Sequence, residues 1–388
     1  MNTTTAPSIL PSSAFPSPSL TAEQAADRRH AEREASEERA ERMRFERFYR
    51  ELPGADRSYF MFFSSGLLHW AASALRLLPL SVPLVLLGTA LEAEERSWAE
   101  KRSGRPFHHF DLRIDDASAL DLLSDTAETG FGWIHIDSFV LHPPLLEELR
   151  TPGPEAVRTV WTTTQLGPMP VAHSALAFFE TEPVRRLRET GLRASFKPHS
   201  YSISGRDRHA GERQVFDRVP TRDEIEATRG VLPWTGEGLP AYPSGYDYFP
   251  LLSWYQAVAH AQGHPSRAIR DYARSDGAVN GQFTREVIHV NGVATYRDVY
   301  REVTRDHPED SKLRSLPLVR FYPQLLQLES VVLASSAQTL PESYRDLERE
   351  LAGDVRALGL DPAGTPDRLV GYLGSLGVPP QVLGSLLG

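Results

Sequence analysis

The stretch Phe131-Gly132-Trp133-Ile134-His135-Ile136-Asp137-Ser138-Phe139-Val140 decides how the rest of the chain is read. Its apolar, aromatic and β-branched run predicts a buried central strand over Phe131–Val140. A buried strand gains nothing from an ionisable residue, because taking a charge out of water costs free energy unless a partner returns it. Yet this one carries His135 and Asp137, whose spacing of two places both on one face. Read alone, the pair has two meanings. Either it holds a divalent cation, or Asp137 caps the next turn while His135 is a satisfied core histidine.

Working outward towards the N-terminus, strand and helix signals alternate. Tyr59 to Phe63 reads as a strand, Ser65 to Leu78 as a helix and Val82 to Leu87 as a buried strand. Glu92 to Arg102 reads as a polar helix, Phe107 to Leu112 as a strand, and Ala117 to Glu128 as a helix opened by Asp115 and Asp116. This β-α-β-α-β-α-β order implies an α/β fold with a parallel sheet and right-handed crossovers. Ligands of such sheets sit at the carboxyl ends of strands, so the site is expected near the end of Phe131–Val140. The apolar run Gly66 to Leu91 matches a membrane span in length, but His69, Arg76, Pro79 and Pro83 interrupt it. A buried helix followed by a buried strand is expected there, with no transmembrane segment.

Past Pro143 the pattern loosens. Thr159 to Thr163 and Ala172 to Phe179 look extended and Glu182 to Thr190 helical, and residues 200–247 form a long polar connection that reads as a lid. Tyr248 to Gln262 is amphipathic with Asp247 placed to cap it, and Arg285 to Val290 is a strand ending in the tight-turn pair Asn291-Gly292. Four regions are expected. Residues 1–20 are disordered, 21–52 a charged helix, 53–330 the α/β domain and 331–388 a helical appendage.

With 388 residues, 40% of them hydrophobic, the chain has material for a sizeable core. It has no cysteine. Disulfide scaffolds, thiolate zinc sites, iron–sulfur clusters and cysteine nucleophiles are excluded together, and any metal must be held by nitrogen or oxygen. A net charge of -9 argues against a nucleic-acid partner. Only three of the 42 basic residues are lysine (Lys101, Lys197 and Lys312), which reads as codon pressure in a GC-rich bacterial genome. The Ser/Thr/Pro-rich start lacks a basic segment and an apolar run, so a cytoplasmic location is expected. Gly-x-Gly-x-x-Gly, Walker, Gly-x-Ser-x-Gly and His-Glu-x-x-His signatures are absent from the sequence. His108 and His109 point to opposite faces of their strand, so they cannot clamp one metal unaided.

The stretch Gly132 to Val140 resembles the metal-site strand of nucleotide-diphospho-sugar glycosyltransferases of the GT-A fold. That strand reads as an apolar run, Asp-x-Asp, then an apolar run leading to a Pro-containing turn and helix. Here His135 stands in the first acidic position and Asp137 in the second, leaving one carboxyl group in the motif. The sequence Val287-Ile288-His289-Val290-Asn291-Gly292 resembles the late strand of these enzymes, where a histidine, here His289, completes the metal and diphosphate site. Gly167 to Leu187 resembles the segment that shapes the donor-sugar pocket, with His173 and Ser174 as its polar pair.

The resemblance implies a GT-A-like open mixed sheet flanked by helices and a nucleoside diphosphate sugar donor. It also implies a divalent cation, manganese or magnesium, at His135, Asp137 and His289, with a nitrogen ligand of the kind manganese accepts. Asp137, His289 and Asn291 would face the diphosphate. For transfer with inversion the acceptor hydroxyl needs a base, and Asp247 is the candidate, ahead of Glu237; its other reading is a helix cap. Arg206, Arg208 and Arg213 are candidates for a diphosphate clamp, against a plain solvated loop. The acceptor is unknown, and a homo-oligomer is compatible with the chain. Two rivals remain: a non-catalytic binding or scaffolding subunit of the same fold, and a nucleotidyltransferase-like α/β enzyme.

Overall fold

The computed structural model describes residues 22–166, 169–189, 252–270, 273–274 and 279–387, with the single positions 223, 226 and 229. It divides into two units, 1–40 and 41–388. The described part of the first unit is helical, within a helix assigned to Ala22–Glu51.

In the second unit, the alternating signals become β1 (Tyr59–Ser64), β2 (Leu84–Thr89), β3 (Phe107–Phe110) and β4 (Gly130–His135). They are joined by helices Leu68–Arg76, Ala93–Lys101 and Asp116–Thr126, and all four strands run parallel in the order β3-β2-β1-β4. Asp115 opens the third helix as its side chain accepts the Ser118 N–H at 2.8 Å, a cap worth about 1 kcal/mol. Strand order reverses between β1 and β4, and the crevice outside their carboxyl ends is the ligand position of open sheets.

A short strand β5 (Ser138–Val140) follows, then β6 (Val157–Thr159), a hairpin of β7 (Thr162–Leu166) and β8 (Met169–Ala172), β9 (Leu176–Glu180) and β10 (Ser266–Ala268). Antiparallel β9 sits between β4 and β6, completing a mixed seven-stranded sheet β10-β6-β9-β4-β1-β2-β3. A smaller antiparallel sheet pairs β11 (Ala273–Arg274), β12 (Gly281–Phe283) and β13 (Val287–Val290) with β5. The open mixed α/β sheet flanked by helices is the architecture the sequence implied.

Three expectations are corrected. The single strand over Phe131–Val140 is two strands in two sheets: β4 ends at His135, the chain turns through Ile136 and Asp137, and β5 pairs with β13 instead. The helix expected over Tyr248–Gln262 is described as Ser253–Ala261, with Leu252 in the cap position at φ 69°, and Asp247, the expected cap, lies outside the described residues. Nor do the C-terminal helices hang off the domain as an appendage. Helices Tyr322–Ser336, Tyr344–Ala357 and Gly364–Ser375 bury Leu333, Leu351 and Leu369 in the same apolar cluster as Tyr59, Met61 and Phe63 of β1.

Alternation along β1 explains the two-sided core. Tyr59, Met61 and Phe63 face that cluster, whereas Phe60 packs on the opposite side with helices Asp116–Thr126 and Ser253–Ala261. Gly132 lies opposite Tyr59 in the register, and a Cβ there would meet the Tyr59 ring at 2.1 Å. The run Gly66 to Leu91 becomes helix Leu68–Arg76 and the fully buried β2. Among the described residues no helix is long and apolar enough to cross a membrane.

Candidate metal and donor site

His135 is the last residue of β4, its N–H donating to the Ala175 carbonyl at 2.8 Å. Asp137 occupies the turn between the two sheets, where its carbonyl accepts the Val290 N–H at 3.0 Å and so fastens it to β13. His289 lies on β13. These three, about 150 residues apart at the extremes, bring ligand atoms within 4.8 Å of one another. His135 Nδ1 is 3.9 Å and His289 Nε2 is 3.2 Å from Asp137 Oδ1. They lie at the carboxyl end of β4, beside the reversal of strand order.

The hydrogen bonding around His289 is informative. Gln282, its cross-strand partner on β12, places Oε1 2.7 Å from His289 Nδ1. An amide oxygen accepts, so Nδ1 carries the proton and Nε2 of the neutral ring offers a lone pair. That lone pair faces the Asp137 oxygen, which has no hydrogen-bond partner of its own, and His135 Nε2 is likewise buried and unpartnered. Two lone pairs 3.2 Å apart repel unless a proton or a metal cation lies at the pair. The ion-pair distance and the unpartnered carboxyl oxygen are thus one observation: the pair is close, but it closes as a hydrogen bond only with a doubly protonated His289.

Charge follows the same logic. Burial pushes the Asp137 carboxyl up, but His289 and His135 beside it prevail and hold it below the usual carboxylate range. His135 is pushed below the usual histidine range, first by burial and further by His289, against the opposing pull of Asp137. An ionised carboxylate is the state in which such a group binds metal. The donor set, two nitrogens and one oxygen, fits a first-row divalent ion and accommodates manganese better than magnesium. Gln282 would orient His289 as second-shell carbonyls orient metal-bound histidines.

A third histidine completes the cluster. The His173 ring lies 4.7 Å from that of His289, centroid to centroid. Its Nδ1 accepts the Ala175 N–H at 3.0 Å, which leaves the proton of the neutral ring on Nε2. Burial, then the neighbouring His289 and His135, push it well below the usual histidine range. His173 therefore serves as a neutral N–H donor and not as a ligand through Nδ1.

His135, Asp137, His289 and His173 are thus brought together. Asn291 follows β13 with its N–H donating to the Asn280 carbonyl at 2.8 Å, and Gly292 supplies the positive φ, 82°, of the turn into helix Tyr296–Asp306. Asp247, Glu237, Arg206, Arg208 and Arg213 lie outside the described residues, as does the 200–247 connection apart from three positions. Sequence reasoning missed Gln282. The signal was the symmetry of Gln282 and His289 about a hairpin centred on Arg285 and Glu286, hidden because only one arm was read as a strand.

Residues 35–184 match the StrH glycosyltransferase N-terminal domain, a span that includes His135, Asp137 and His173 and stops short of His289. The chain is similar to the dTDP-dihydrostreptose–streptidine-6-phosphate dihydrostreptosyltransferase of Streptomyces griseus, 25% identical over 368 residues, with 86% of this chain and 90% of that protein covered. Among solved structures it resembles the galactosyltransferase LgtC in complex with donor and acceptor sugar analogues (10% identity, TM-score 0.27), covering 33% of this chain and 59% of that one. A putative glucose-1-phosphate thymidylyltransferase from Bacillus anthracis gives 10% identity and TM-score 0.27, covering 34% of this chain and 75% of that one.

Proposed function

We propose that the protein transfers a sugar from a dTDP-sugar, or a closely related nucleoside diphosphate sugar, to an acceptor hydroxyl in the cytoplasm of a bacterium. The observation that supports this most is the convergence of His135, Asp137 and His289 at the carboxyl end of β4, with ligand atoms within 4.8 Å of one another and the Asp137 Oδ1 atom lacking a hydrogen-bond partner. The Streptomyces griseus relative, whose name carries a dTDP-sugar donor, supports the choice of nucleotide.

In this reading His135, Asp137 and His289 hold a divalent cation, which when bound neutralises charge on the departing diphosphate. Asp137 contributes the ionised oxygen, His289 is held in its ligand tautomer by Gln282, and His135 closes the third position. His173 donates its Nε2–H towards the donor, stabilising charge as it develops in the polar crevice. Asn291, two residues beyond His289, contributes on the diphosphate side. Asp247 takes the acceptor proton if the transfer inverts.

Turnover of a panel of nucleotide sugars, followed as nucleoside diphosphate release with manganese and with a chelator, tests this. Release in the presence of manganese, lost on chelation and restored by the ion, is expected. Pyrophosphate release from a nucleoside triphosphate and sugar phosphate would transfer the assignment to a nucleotidyltransferase.

A further inference from the structure

Two buried polar groups outside the metal-ligand cluster have no part in the chemistry above, and both touch the loops at the carboxyl end of the sheet. Glu95, 2% exposed, stands in the first turn of helix Ala93–Lys101. Its Oε2 accepts the Glu92 N–H at 2.9 Å, closing the loop after β2. Its Oε1 reaches the neighbouring loop and accepts the Gly66 N–H at 2.8 Å. One carboxyl group therefore ties together the loops that leave β1 and β2.

Tyr344, 6% exposed, opens helix Tyr344–Ala357 of the C-terminal region. Its hydroxyl donates to Glu95 Oε1 at 2.5 Å and accepts the Leu68 N–H at 3.0 Å. The segment Gly66–Leu68 is thus held at both ends, by Glu95 and by Tyr344, and Gly66 sits at φ 81°, a conformation side chains disfavour. Burial pushes the Tyr344 phenol well above its ordinary value, so the hydroxyl keeps the proton it donates.

This segment follows β1 at the reversal of strand order, where Phe62, two residues before the strand ends, pairs with His135 of β4. We infer that Glu95 and Tyr344 are positioning residues that fix the Ser64–Leu68 loop as a wall of the donor crevice. The C-terminal helices thereby govern donor affinity without touching the donor. This rests on the reading of the crevice as a nucleoside diphosphate site. The physical reason is preorganisation: a loop already held in its binding conformation loses less freedom when the ligand arrives.

A matched control exists in the same interface. Ser73 and Ser336 share a buried hydrogen bond of 2.7 Å between helix Leu68–Arg76 and helix Tyr322–Ser336, with no contact to the loop. The test is titration calorimetry of the full chain with dTDP in the presence of manganese, and with manganese alone, for the unaltered protein, Tyr344→Phe and Ser336→Ala. Tyr344→Phe is expected to weaken dTDP binding about tenfold while manganese affinity stays within about twofold, and Ser336→Ala to leave both unchanged. If Tyr344→Phe costs the fold, Glu95→Gln, which keeps the volume and one acceptor oxygen, is read by the same criteria. Unchanged dTDP affinity in the loop variant, or an equal loss in Ser336→Ala, overturns the inference alone. No dTDP binding by the unaltered chain overturns the donor-site reading and this inference with it.

Discussion

Two of the buried groupings of histidine and carboxyl groups among the described residues are built to opposite specifications. In the first, between helix Leu68–Arg76 and helix Tyr322–Ser336, Glu329 is fully buried and both its oxygens are taken. His69 Nε2 lies at 2.8 Å from one, with Arg297 at 3.4 Å from the same oxygen, and the Tyr296 hydroxyl donates to the other. In the second, Asp137 Oδ1 and His135 Nε2 are buried without hydrogen-bond partners, and His289 turns a lone pair towards that oxygen. A closed network rigidifies a core, whereas unpaired ligand atoms brought together are a cost that only a bound cation or proton offsets. Residue type does not separate the two clusters. Satisfaction of the carboxyl group does: both Glu329 oxygens are taken, although His69 leaves Nδ1 unpartnered, whereas Asp137 leaves Oδ1 open.

The contrast breaks most sharply at Asp137. Asp137→Asn keeps the volume and removes the ionised oxygen, and turnover is expected to fall about a thousandfold with the melting temperature nearly unchanged. Near-normal nucleoside diphosphate release in that variant would remove Asp137 from its role. Gln282→Leu probes the same cluster one step out. Freed from its partner, the His289 ring loses its preferred tautomer, and manganese affinity measured by calorimetry should drop roughly 10- to 100-fold.

At the closed cluster the expected response is in stability. Glu329→Gln leaves His69 and Arg297 facing a neutral amide, which should cost about 2–3 kcal/mol in urea unfolding while kcat stays within about twofold. A variant that lost turnover and kept its stability would reverse the assignment of the two clusters. The smallest effect concerns pH. Burial pushes the Glu329 carboxyl up, but His69, Arg297 and Tyr296 prevail and hold it below the usual range. The unfolded chain takes up this proton near pH ~4.3 and the folded chain only at lower pH. Its contribution is therefore fully present above that value and is lost as pH falls towards the folded pKa. Glu329→Gln should flatten that part of the stability curve.

Much of this was legible in the residues. Period-two and helical signals located β1 to β4 and their connecting helices to within a few residues, and the β-α-β order gave the parallel sheet and an expected site near the end of Phe131–Val140. His135, Asp137 and His289 were named from type, spacing and likeness to a family strand. The break at Ile136 was not legible, because an apolar run reads the same whether one sheet or two bury it. Gln282 was missed for want of the hairpin, and the closed Glu329 cluster because its partners come from three helices distant in sequence.

What the sequence determined by itself is which side chains avoid water and where local geometry starts and stops, since periodicity, caps and turn residues act over a few positions. Absence of cysteine likewise fixed the ligand chemistry to nitrogen and oxygen. Only the tertiary structure decided which buried polar groups find partners. Turning at Asp137 into a second sheet is what lets β13 deliver His289, and folding the C-terminal helices into the core is what places Tyr344 behind the β1 loop. Those are pairings between distant segments, set by the packing of whole elements, and no local pattern encodes them.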